Sequence, residues 1–345
     1  MPTLTYKLDL AASAVDADNA AAVVHLGTHA LSPAANAAVF AAATLGSGEL
    51  WFSEDAAGTD YADVRMDIAQ WSDSETFFLV AVRMAVTASA GGTIYLQVGD
   101  KPGDYPTGAP DPASTILRAD TGSIGALTTG PTLSMIAGSL ATELDAVHGL
   151  VYDFDGSNVV GTSTAFPNLP DSSGQTFDFW LKTSTSNDYV VGSREGGDGG
   201  MAVFLPSGAV RITLDSATGA EGSTAVNDNA WHHVAVTYDG GGSGSYNAKV
   251  WVDGASDGTG TSATFAWVQN KLFGIGGRGD SSASLVGQLT KVCAHNTVLP
   301  DATIALNARL GGSSASSYWT ATVPSSGLPQ RHHYAVPGLG LGVIK

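Results

Sequence analysis

Apolar and polar residues alternate along this chain in short runs rather than at helical spacing. "LTYKLDL" puts Leu4, Tyr6, Leu8 and Leu10 on one face of a strand. "AAVVHLG", "ELWFSED", "VRMDIAQW", "TFFLVAVRM" and "GTIYLQVGD" follow at the spacing of a sandwich. Only "SPAANAAVFAAATL", residues 32–45, reads as a helix, with Ser32 placed to cap it. Residues 1–102 therefore predict an N-terminal β-sandwich domain.

Residues 103–145 change character: Pro and Gly crowd "DKPGDYPTGAPDPAS" and "TGSIGALTTGPT", which predicts a linker with an added strand in "STILRAD". Residues 146–312 are strand after strand, from "GLVYDFDG" and "QTFDFWLKTS" through "WHHVAVTYDG" and "AKVWVDG" to "LVGQLTKVCAH". Glycine-rich turns between them point to an antiparallel jelly roll. "LPDATIALNARLG" closes the series as a short helix with Asp301 as its N-cap and Gly311 near its end. Residues 313–345 hold too few apolar residues for a core and predict an extended C-terminal arm. The fold class is all-β: two β-sandwich or jelly-roll domains joined by a Pro/Gly-rich linker, with that arm.

Composition narrows the partners. Apolar residues make up 43% of the 345, enough for real cores, and the net charge is −17. That charge leaves no basic patch for nucleic acid or anionic lipid. The N-terminus lacks the basic region of a signal peptide, and no long apolar window predicts a membrane span. Cys293 is the single cysteine, which excludes an intrachain disulfide and any metal site built on two cysteines. Its apolar setting, "LTKVCAH", reads as that of a small buried hydrophobe.

Six segments in order, "YDFDGSNVV", "FDFWLKTS", "WHHVAVTYDG", "KVWVDG", "FGIGGRGD" and "LVGQLTKV", resemble laminin-G-like domains of the concanavalin-A-like jelly roll over about residues 148–312. "LTYKLDLAASAV", "VVHL", "GELWFSEDAAGT" and "GTIYLQVGDKP" resemble a family of uncharacterised domains that often precede laminin-G-like domains in surface proteins. The first resemblance implies carbohydrate binding as the generic function and a calcium ion near the rim. Candidate calcium ligands are Asp153, Asp155 and Asn158; Thr290-Lys291 stands where relatives carry an acidic pair. The bland reading of these acids is solvated turns, and no other cofactor is expected.

Sugar sites need exposed aromatics and planar polar groups, which makes Tyr189, Arg194, Trp267, Gln269 and Asn270 the glycan-binding candidates. His232 and His233 are neighbours on a strand, so they face opposite sides and cannot easily ligate one metal together; they read as framework. No enzyme is expected. "ELDAVH", Glu143–His148, has histidine where a laminarinase-type signature needs its last acid, so a retaining pair of carboxylates is not filled. "RGD" at 278–280 reads as a hairpin rather than a recognition motif.

An adhesive pair of sandwiches without an export signal or disulfides suggests a phage virion component, such as a head decoration or tail-fibre subunit. Tyr318, Trp319, Tyr334, Leu339, Leu341 and Ile344 would then form an assembly arm docking on other virion proteins or on copies of the chain. A host-surface glycan is the further partner expected. The alternatives are a bacterial cell-surface or extracellular adhesin that binds carbohydrate, and a glycan-active hydrolase.

Overall fold

The computed structural model describes residues 2–43, 49–72, 77–106, 115–119, 133–139, 141–145, 147–162, 174–193, 200–214, 217–240, 246–262, 272–280, 285–312 and 315–324. Over these residues the chain is almost entirely β, as its alternation predicts.

The first unit is built from β1 (Pro2–Leu10), β2 (Asn19–Gly27), α1 (Pro33–Ala42), β3 (Leu50–Ser53), β4 (Arg65–Ser72), β5 (Phe77–Val86) and β6 (Gly92–Gly99). One sheet runs β1-β6-β3 and the other β2-β5-β4, all antiparallel. The alternate residues Tyr6, Leu8 and Leu10 of β1 are buried against Val24, Leu26, Val80 and Val82. Ser32 caps α1 as expected, its Oγ accepting from the Ala35 N–H at 3.2 Å.

The second unit takes β7 (Thr115–Ala119), β8 (Leu133–Ala137), β9 (Ala141–Asp145), β10 (Gly149–Asp155), β11 (Val159–Thr162), β12 (Gln175–Thr183), β13 (Tyr189–Gly192), β14 (Met201–Phe204), β15 (Ala209–Leu214), β16 (Ala217–Ala225), β17 (Trp231–Tyr238), β18 (Tyr246–Val252), β19 (Ala255–Ser262), β20 (Gly274–Ile275) and β21 (Val286–His295). Among the described residues one sheet is ordered β19-β18-β17-β12-β21-β10-β9, with β7 also pairing β21. The facing sheet is ordered β16-β15-β14-β13-β20-β11-β8. Phe177, Phe179, Val234, Val236 and Leu289 of the first meet Val203, Ile212, Leu214 and Ile275 of the second in a single core. At one edge the Asp257 carboxylate of β19 accepts from Ser223 N at 3.0 Å and from Thr224 Oγ1 at 2.6 Å of β16, tying the sheets together.

Two stretches differ from the expectation. Residues 103–145 are expected as a linker with an added strand in "STILRAD"; that strand is β7, but Tyr105 belongs to the first core and β8 and β9 are further strands of the second unit. β8 and β9 lie at the ends of their sheets, where a strand needs only one partner, and at five residues each they are too short to show much alternation of their own. The residues after 312 are expected as an arm, yet β22 (Trp319–Thr322) returns to the first unit and pairs antiparallel with β1.

α2 (Asp301–Gly311) sits between the units. Its N-cap is Pro300, with Asp301 as the first helical residue. Leu306 and Leu310, one turn apart, enter the first unit's core; Ile304 packs on Ala235, Trp251 and Leu299 of the second. Each buried leucine is worth about 1.5–3 kcal/mol, so the helix holds both units at once. Arg309 adds an ion pair to Asp16 at 2.9 Å.

Candidate functional site

Strand register brings four side chains into one row on the outer face of the seven-stranded sheet. Tyr189 of β13 is opposite Phe204 of β14, Phe204 is opposite Arg211 of β15, and Arg211 is opposite Glu221 of β16. The pattern follows from period-two alternation: Met201 and Val203 go to the core, so Phe204 must face out; Val210 and Ile212 go to the core, so Arg211 must. The Tyr189 and Phe204 rings lie with centroids 4.8 Å apart and are half-buried. The Arg211 guanidinium forks onto the Glu221 carboxylate at 2.6 and 2.9 Å. From the other side Arg278 places its guanidinium 5.0 Å over the Tyr189 ring and pairs with Asp280 at 3.2 Å. The next row, Ala202 opposite Thr213, is buried, so the accessible aromatic surface on these strands is confined to the half-buried Tyr189–Phe204 row, a ledge.

Of the glycan-binding candidates, Tyr189 lies in this ledge; Arg194, Trp267, Gln269 and Asn270 lie outside the described residues. Phe204 and Arg211 are not prominent in the sequence. The signal that finds them is their position opposite Tyr189 once the strands are paired. The "RGD" tripeptide is a turn: its arginine is spent on its own aspartate and on Tyr189.

The calcium candidates are largely used by their own turn. Asp155 Oδ1 accepts from the backbone and hydroxyl of Ser157, which holds its carboxyl below the usual range. Asn158 is buried, its Oδ1 accepting from Asp155 N and its Nδ2 donating to Ser139 O and Asp153 O. Lys291, at the position where the resemblance implies an acidic residue, is buried and donates to Gly311 O at 2.9 Å, at the C-terminus of α2.

Glu143 accepts from Gln288, and Asp145 accepts from the Trp231 indole at 2.9 Å and from the backbone of Val147 and His148. Both acids are framework on the edge strand β9. The two histidines diverge as a strand requires. His232 bridges Asp253 at 2.9 Å and Asp228 at 3.1 Å, and the Asp253 hydrogen bond raises its pKa against the opposing effect of burial. His233 points under α2 and is 1% exposed. It lies beside Asp178, whose burial favours the neutral acid, but the imidazoles of His233 and His295 outweigh that and hold the carboxyl far below its usual range.

Tyr318 and Trp319, expected in an assembly arm, are placed in the first unit. Trp319 is buried opposite Leu10, and Tyr318 packs on the same core. Tyr334, Leu339, Leu341 and Ile344 lie outside the described residues.

Residues 154–305 match the family described as the concanavalin A-like lectin/glucanases superfamily. The second unit is a laminin-G-like domain. Solved structures similar to part of this chain include domain 4 of AbnA, an extracellular arabinanase of Geobacillus stearothermophilus solved with arabinotriose; it is 15% identical, covers 58% of this chain and all of its own, and has a TM-score of 0.46. The receptor-binding domain of botulinum neurotoxin C/D mosaic serotype is 13% identical over 57% of this chain, with a TM-score of 0.44. The binding domain of botulinum neurotoxin DC, solved with rat synaptotagmin II, is 13% identical over 58%, with a TM-score of 0.45. The chain spans about half the length of these two neurotoxin domains. No curated protein matches the sequence.

Proposed function

We propose that the laminin-G-like domain binds uncharged glycans on the Tyr189–Phe204 ledge and does not cleave them. The observation that carries this reading is the cross-strand row itself. Two aromatic rings offer an apolar stacking surface, and the flanking Arg211–Glu221 and Arg278–Asp280 pairs offer planar donors and acceptors for hydroxyl groups. Each arginine is neutralised by its own carboxylate and the chain carries −17, so an uncharged glycan suits the surface better than a polyanion. Glu143 and Asp145 are engaged in the framework, which supports binding without hydrolysis.

Affinity electrophoresis through neutral and acidic polysaccharides tests the reading. A neutral polymer is expected to retard the protein, with Phe204→Ala weakening the interaction by about tenfold. Retardation by none of the polymers, or equal retardation of the variant, contradicts it.

The finer reading, a phage virion subunit presenting this lectin-like module, draws support from the apolar residues Tyr334, Leu339, Leu341 and Ile344 near the end of the chain. Its test is truncation after Pro324, which leaves β22 in place. Loss of self-association or of particle incorporation with both units still folded supports the virion role; unchanged assembly removes it. A surface adhesin would keep glycan binding and stay monomeric in both forms.

A further inference from the structure

Beneath α2 the outer face of the eight-stranded sheet holds a polar cluster that glycan binding on the opposite sheet does not use. Asp178 of β12 is directly opposite Cys293 of β21, and His295 lies two residues further along the same face. One ligand atom from each of Asp178, Cys293 and His295 lies within 4.8 Å of the others. His233 of β17 approaches from the other neighbouring strand, its Nε2 3.6 Å from Asp178 Oδ2. All four side chains are buried.

A cluster of this composition is costly to bury as bare side chains. An ionised carboxylate in an apolar interior needs a compensating cation. Asp178 does have polar neighbours: His295 Nε2 at 3.2 Å from Oδ1, and Asn307 Nδ2 of α2 donating to Oδ2 at 3.0 Å. His233 is different. Neither of its ring nitrogens makes a hydrogen bond among the described residues, and 3.6 Å is beyond hydrogen-bond range. It is 1% exposed and aimed at the carboxylate.

We propose that Asp178, Cys293 and His295 bind a single divalent transition-metal ion of the Zn²⁺ class, with His233 as the neighbouring fourth side chain. The donor types decide the class. Imidazole and thiolate select zinc-like ions over calcium or magnesium, which take oxygen. Bonds of about 2.0–2.1 Å to nitrogen and oxygen place tetrahedral ligand atoms roughly 3.3 Å apart. The 3.2 Å between His295 and Asp178 and the 3.6 Å between His233 and Asp178 are of that size. Charge also balances: a carboxylate and a thiolate neutralise a dication, the thiol proton leaving to solvent as the ion binds. Asn307 then acts on the carboxylate from outside the ligand set, fixing its orientation.

The four side chains come from three strands and are closed over by the helix that joins the two units. The ion would therefore be taken up during folding and would strengthen the junction. One cysteine suffices for such a site, which a search for paired cysteines in the sequence passes over.

The test is to refold the full chain with Zn²⁺, remove free metal by gel filtration, and measure bound zinc by mass spectrometry. A parallel sample is refolded with Co²⁺ and its absorption recorded. A single zinc per chain is expected, with a thiolate-to-cobalt band in the near ultraviolet. Cys293→Ser, a near-isosteric change, should abolish that band and most of the zinc while circular dichroism stays native. His232→Ala controls for the exposed Asp228–His232–Asp253 cluster and should leave zinc content unchanged. Background zinc in the refolded wild type, no thiolate band, or zinc lost with His232→Ala and kept with Cys293→Ser overturns the proposal.

Discussion

Leu10 and Trp319 are backbone partners across an antiparallel pair, and both side chains are buried in the first unit's core. The residue that completes the first sandwich thus lies beyond the whole second unit in sequence. The backbone bond from Ala11 N to Tyr318 O, 2.8 Å, continues the pairing. The first unit is not closed until the chain has returned.

Trp319→Ala tests this closure. Removing a buried tryptophan should destabilise the first unit by about 3–5 kcal/mol, read as a lower urea midpoint. A chain cut after Ser316 should lose similar stability, whereas one cut after Pro324 should not. An unchanged midpoint for Trp319→Ala would mean that β22 contributes nothing to the first fold.

The junction helix makes a second prediction. Leu306 and Leu310 belong to the first core and Ile304 to the outer face of the second unit. Leu310→Ala should cost about 2–5 kcal/mol and should expose the inter-unit segment to protease before either sandwich unfolds. Cleavage only after global unfolding would show that the helix does not control the junction.

Asp257 gives a pH dependence with a definite sign. Burial alone would raise its pKa, but hydrogen bonds from Thr224 and Ser223 outweigh burial and lower it. A carboxylate depressed in the folded state contributes stability that is present above its unfolded value of about 3.9 and lost as pH falls through the folded value. Asp257→Asn should therefore reduce stability at neutral pH, by ~1 kcal/mol. It should also flatten the acid limb of a stability-against-pH curve below about pH 4. An unaltered acid limb would show that the β16–β19 clamp is not charge-assisted.

Much of the architecture is legible in the chain. Alternation in "LTYKLDL" and "WHHVAVTY" gives strands with the correct inward residues, and the Ser32 cap and the closing helix fall where their sequences place them. What escapes has a physical reason. β16 and β19 are rich in Gly, Ser and Thr, show no apolar alternation, and stack on each other closely enough that a Cβ at Gly258 would meet Glu221 O at 2.1 Å. β8, β9 and β22 are edge strands whose partners come from elsewhere in the chain. The ledge is half legible: Tyr189 is a candidate from its aromatic ring alone, but Phe204 and Arg211 become its neighbours only through register. His233 reads as framework from its strand; its company with Asp178, Cys293 and His295 depends on three strands meeting.

The central claim is that the Tyr189–Phe204 row is a glycan-binding surface. It is tested most directly by titrating ¹³C,¹⁵N-labelled protein with the neutral polysaccharide fragment that retards it best, and following the resonances of the seven-stranded sheet. Shifts centred on Tyr189, Phe204, Arg211 and Glu221, lost in Tyr189→Ala, are the predicted result. Shifts centred on another face, or none at saturating ligand, would contradict it.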